Sequence, residues 1–142
     1  MNQTLRITRA GQLESIAAFL DFIDAACQRA RIDSQTCYDM KLAVDEACAN
    51  IITHGYAGMN PGSIMLELAF HPARVILTLT DFGHPFEPYQ PEPPKLSDAL
   101  DGKLTSGFGL FLIYSVMDAV DYQATEEGNR LILTKKLSKV PA

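Results

Sequence analysis

Ile64, Leu66, Leu68 and Phe70 alternate with other side chains, and after a turn at His71 and Pro72 the same period returns in Val75, Leu77 and Leu79. A two-residue period puts every second side chain on one face, so this stretch predicts a β-hairpin with a single buried face. Asp81 keeps the phase of Val75, Leu77 and Leu79. At the end of its strand it therefore points toward the apolar side, where a carboxylate needs a donor.

The segments around the hairpin are equally patterned. Leu5 to Arg9 alternates as an edge strand before a turn at Gly11. Leu13, Ile16, Ala17, Leu20, Ile23 and Cys27 recur at helical steps until the stretch Gln28 to Arg31, and this predicts a first helix with one buried stripe. Asp33 or Ser34 can cap a second helix, whose stripe is Cys37, Met40, Val44, Cys48 and Ile51 and whose exit is His54 and Gly55. Gly58, Asn60, Pro61 and Gly62 separate it from the hairpin. Residues 84–106 contain five prolines and little periodicity, which predicts a long loop of the kind that usually has a function. An apolar helix from Gly107 to Met117 and two closing strands, Val120 to Ala124 and Leu131 to Leu137 around Gly128, complete the chain.

Composition narrows the function classes. With 142 residues, 47% hydrophobic and 20% charged, one compact domain over 1–142 is expected, burying about two-thirds of the surface of its unfolded form. The net charge of −5 comes without a basic stripe, which argues against direct binding of nucleic acid. Neither a spanning apolar run nor a signal peptide is visible, so no membrane association and a cytoplasmic location are expected. Cys27, Cys37 and Cys48 are odd in number and lack paired metal-ligand spacing, and they read as reduced core thiols.

Three places hold candidate chemistry. Leu42, Glu46, Asn50 and His54 are spaced by four and form a row on the second helix that drifts about 40° per step, apart from the core stripe. Asn is poorly suited to a helix interior. The row is either a solvated face or a metal and water site, since an Asn oxygen suits Mg²⁺ and a Glu can take a proton from a hydroxyl. Asp81 either closes a turn through its own backbone amides or accepts from a base, with Gly83 giving a ligand access to the backbone. Gly107, Phe108, Gly109 and Leu110 are either a plain helix start or a set of free amides suited to phosphate.

The stretch Lys41 to Tyr56, KLAVDEACANIITHGY, resembles the N-box of the GHKL ATPase superfamily, which includes gyrase and histidine kinases. Asp81, Phe82, Gly83, His84, Pro85 and Phe86 resemble its first glycine box, and Gly107 to Ile113 its second. The three motifs stand in the family's order, and the likeness is strongest to the bacterial anti-sigma-factor serine/threonine kinases. This implies an α/β fold of the α+β two-layer kind, the Bergerat-type sandwich, with helices on one face of a mixed, mostly antiparallel sheet. It also implies ATP and Mg²⁺ under a mobile lid at about 84–106. By motif, Glu46 is similar to the general base, Asn50 to the Mg²⁺ ligand and Asp81 to the aspartate that meets the adenine amino group. Gly83, Gly107 and Gly109 are similar to the phosphate-side and lid glycines. Pro85, Phe86, Lys103, Thr105, Ser106, Phe108 and Leu110 complete the implied nucleotide set, with His54, which either touches the nucleotide or packs at the helix end. The lid has no arginine, so Lys103 would stand in for one, and Asn129 and Arg130 occupy the region where relatives often carry Thr.

The activity so implied is phosphorylation of a small antagonist (anti-anti-sigma) protein together with sequestration of a sigma factor, in a chain that would form a homodimer. The alternative is a binding module in which ATP or ADP only sets which partner is held. Asp81, Phe82 and Gly83 also spell the metal-binding triplet of eukaryotic-type kinases, but neither the glycine-rich loop nor the catalytic-loop motif accompanies it. Autophosphorylation on His54 is not expected, because a histidine kinase needs a separate helical segment bearing its phosphoacceptor.

Overall fold

The computed structural model describes residues 3–85 and 106–137, with the side chains of 106–110 excepted. Five strands, β1 (Gln3–Ala10), β2 (Ser63–His71), β3 (Arg74–Asp81), β4 (Ala119–Thr125) and β5 (Gly128–Lys136), form one sheet in the order β1-β2-β3-β5-β4. The predicted hairpin is its centre, with Leu66 opposite Leu79 and Leu68 opposite Leu77. β1 lies at one edge, as its alternation suggests, paired from Gln3 opposite Phe70 to Ala10 opposite Ser63.

Every pairing among the described residues is antiparallel, so the sheet is not mixed. The reason is topological. β4 runs in the same direction as β3, but the return strand β5 inserts between them, and the parallel neighbours that would make a mixed sheet never meet.

A short 3₁₀ turn (Leu13–Ser15) leads into α1 (Ile16–Ala30), followed by α2 (Ser34–Asn50) and, before β4, α3 (Ser106–Val116). α2 packs against both other helices. Asp33 caps it, its carboxylate accepting from the Thr36 backbone N–H at 3.0 Å and the Thr36 hydroxyl at 2.6 Å. Met40, Val44 and Cys48 of its stripe are fully buried, and Ile51, just beyond its end, nearly so. The α1 stripe is rotated from the predicted one. Leu13 is 59% exposed, Ala17 is exposed and Leu20 half-buried, while Phe19, Ile23, Ala26 and Cys27 face the core. Both stripes share Ile23 and Cys27. The phenyl group decides between them, because burying a side chain of that size contributes about 1.5–3 kcal/mol.

The inward side chains of the sheet, among them Ile64, Leu68, Val75, Leu79 and Leu133, join these helical residues in one core. Lys135 of β5 ties the layers together at the far end. Its ammonium donates to Asp39 on α2 at 2.9 Å and to the carbonyl of Val116, the last residue of α3, at 2.6 Å, where the helix dipole favours a cation. All three cysteines are buried free thiols. No helix among the described residues is long and apolar enough to cross a membrane.

Candidate functional site

α2 ends at Asn50, and the next five residues, Ile51–Gly55, form a single π-turn. Such turns widen the helical path and recur at functional sites. The four-residue row therefore holds from Glu46 to Asn50 and loses its phase before His54, which is exposed. Glu46 and Asn50 are both half-buried, and neither side chain has a hydrogen-bond partner among the described residues. Burial, and secondly the neighbouring carboxylate of Asp45, push the Glu46 carboxyl above its ordinary range. A carboxylate so placed is a better proton acceptor than an exposed one.

Asp81 is 4% exposed at the end of β3. Its Oδ1 accepts from the backbone N–H of Gly83 at 2.9 Å and from the Asn129 amide at 3.1 Å. The turn-closing bond is thus real, but it engages one oxygen only. Oδ2 has no partner among the described residues, and Asp81 lines a narrow cleft with Ala47, Asn50, Ile51, Ile113, Tyr122 and Leu131. The cleft holds about 10 Å³, room for a single water, and the carboxylate at its end has the chemistry to meet an amino group.

The turn after Asp81 is docked on the π-turn. His84 donates its backbone N–H to the Gly55 carbonyl at 2.6 Å. A Cβ on Gly83 would collide with that same carbonyl. Gly83 is therefore required first by the protein's own backbone approach and not by access of a ligand. Gly55 in turn lies against Asp81, where an added Cβ would sit 3.7 Å from Oδ1. Tyr56 braces the arrangement, its hydroxyl donating to the Ser63 carbonyl at 2.7 Å and accepting from the Phe82 N–H at 3.0 Å. Burial raises its phenol above the ordinary range.

Glu46, Asn50, Asp81 and Gly83 thus share one end of the molecule, with Asn50 and Asp81 on the same cleft. Pro85 is exposed beside Phe82, which is 52% exposed. Ser106, Gly107, Phe108, Gly109 and Leu110 form the first turns of α3. Phe86, Lys103 and Thr105, with nearly all of the expected lid, lie outside the described residues. Sequence reasoning missed Gly55, Tyr56 and the pairing of Asn129 with Asp81. Only strand register brings the last two together, and no local pattern announces it.

Among the described residues no cluster of three His, Cys, Asp or Glu side chains could hold a metal. Mg²⁺ usually keeps waters and substrate phosphates and takes one or two protein oxygens, so the unengaged carboxamide of Asn50 fits it.

The profile of the histidine kinase-like ATPase domain matches residues 10–135. Over 115 residues the chain is 31% identical to the serine/threonine-protein kinase BtrW of Bordetella bronchiseptica, covering 81% of each. It is 30% identical over 107 residues to the serine-protein kinase RsbW of Bacillus pumilus, covering 71% of this chain and 65% of that one. With the anti-sigma F factor of Clostridium novyi it shares 26% identity over 127 residues, covering 89% of this chain and 84% of the relative. A crystal structure of the RsbU and RsbW domains of Rv1364c from Mycobacterium tuberculosis superposes with a TM-score of 0.70 at 17% identity, over 95% of this chain and 32% of that one.

Proposed function

The chain belongs to the family of histidine kinase-like ATPase domains, and from that premise we propose that it is an ATP-dependent serine/threonine protein kinase of the anti-sigma-factor type. It phosphorylates a small antagonist protein and sequesters a sigma factor, and it works in the cytoplasm. The observation that supports the reading is that Asp81 and Asn50 line one cleft, with the raised carboxyl of Glu46 one helical turn before Asn50.

Asp81 Oδ2 accepts from the amino group of adenine and fixes the base. Asn50 would hold Mg²⁺ through its carboxamide oxygen, and the ion would neutralise charge on the phosphates. The first turn of α3 presents backbone amides and the positive end of its dipole to those phosphates. Glu46 takes the proton of the incoming serine or threonine hydroxyl as its oxygen bonds to the terminal phosphorus. The bond from that phosphorus to the bridging oxygen breaks, and ADP leaves.

One sequence fact favours a second reading. Residues 84–106 contain no arginine to meet the terminal phosphate, which suits a nucleotide-dependent switch that holds a partner without modifying it. Label transfer separates the two. Incubated with γ-labelled Mg-ATP, the kinase moves label to a serine or threonine of a cognate antagonist protein. A chain that binds ATP yet labels none of the antagonists offered is the switch.

A further inference from the structure

We infer that Asn129 is a positioning residue for base selection: it holds the Asp81 carboxylate in the one rotation that turns Oδ2 into the cleft. This rests on the ATP reading above. The antiparallel register of β3 and β5 sets Asn129 directly opposite Asp81, and both side chains are 4% exposed.

Asn129 uses its amide nitrogen twice. It donates to Asp81 Oδ1 at 3.1 Å and to the Gly83 carbonyl at 2.9 Å. Oδ1 also receives the Gly83 N–H at 2.9 Å. The terminal torsion of an aspartate is broad and roughly two-fold, so a single bond from its own turn leaves the carboxylate plane loosely set. Two donors converging on one oxygen, one from the turn after β3 and one from β5, fix it. The same amide anchors the turn whose His84 N–H meets the Gly55 carbonyl, and it thereby ties the base acceptor to the π-turn that begins just after Asn50.

Discrimination follows from this geometry. An amino group on the six-position of a purine donates to Oδ2, whereas a bare carbon there gives nothing and a carbonyl there opposes acceptor to acceptor. That preference depends on the direction of Oδ2, and its loss after removal of Asn129 is the signature of positioning as opposed to packing.

The test compares calorimetric affinities for ATP and for purine riboside triphosphate, which lacks the six-amino group, in the parent, Asn129→Ala, Asp81→Asn and the double variant. The parent prefers ATP. Asn129→Ala weakens ATP by about tenfold, in line with a hydrogen bond to a charged group, leaves the analogue nearly unchanged and so narrows the preference. The double variant loses little beyond Asp81→Asn alone, because Asn129 acts through Asp81. Should Asn129→Ala not fold, Asn129→Ser keeps one small donor at the site and gives a preference between parent and Asp81→Asn. If the parent prefers ATP and the folded Asn129 variant prefers it as strongly, or if the two substitutions add independently, the positioning role is wrong while the ATP site stands. If the parent binds both triphosphates alike, the role of Asp81 falls and that of Asn129 with it.

Discussion

Glu46 is half-buried one helical turn before Asn50. Burial and the nearby Asp45 raise its carboxyl pKa, so the folded state disfavours the charged form. Below the pKa of the unfolded chain both states are protonated and nothing is lost. As pH rises through the raised folded pKa, stability is lost. Glu46→Gln therefore melts at a higher temperature than the parent near neutral pH, and the difference vanishes below roughly pH 4, where carboxylates are protonated in either state. Thermal melts across that range check the sign. In single-turnover transfer at saturating ATP the same variant falls by about 10² to 10⁴ fold while its ATP affinity stays close to the parent's. Full transfer by a folded Glu46→Gln would return Glu46 to the solvated face of the helix.

At the scale of elements, the π-turn and the turn after β3 form one unit, and Gly83 is where they touch. Because a Cβ at Gly83 meets the Gly55 carbonyl, Gly83→Ala pushes the two apart and strains the His84 to Gly55 bond. It costs about 1–3 kcal/mol of stability, typical of forced overpacking, and ATP affinity falls with it; denaturant unfolding and calorimetry measure the two effects together. α1 offers the opposite sign. Arg31 closes it with φ 59 and ψ 40, a left-handed conformation that disfavours any residue with a Cβ. Arg31→Gly should stabilise the protein by about 1 kcal/mol in the same unfolding experiment, since glycine takes that conformation freely.

These elements also mark where sequence reasoning works and where it stops. The step from Glu46 to Asn50 is local and helical, and the inward phase of Asp81 is local and extended, so both are visible without a structure. The π-turn at Ile51–Gly55 changes the pitch within a segment whose apolar pattern continues, and so the predicted row extends too far, to His54. Two stripes sharing Ile23 and Cys27 fit the α1 pattern equally well by period, and only the bulk of Phe19 separates them. Asn129 meets Asp81 through the register of strands far apart in the chain, which no periodicity encodes.

For the whole molecule, the layer architecture serves the site by collecting chain ends at one rim. β3 delivers Asp81, α2 delivers Asn50, β5 delivers Asn129, and the first turn of α3 begins where the expected lid ends. The opposite end is closed by Lys135 between Asp39 and Val116. The inserted strand β5 makes every pairing among the described residues antiparallel, and that insertion is also what puts Asn129 beside Asp81. On the proposed function this rim reads adenine through Asp81, and calorimetry of Asp81→Asn against the parent with both ATP and ADP tests that contact. The base contact is common to the two nucleotides and independent of the terminal phosphate. Asp81→Asn therefore loses about 1.5–3 kcal/mol toward each, with a cooperative melting transition showing that the variant is folded. Equal affinity of parent and variant for both nucleotides, or a loss confined to ATP, would mean that Asp81 does not meet the base.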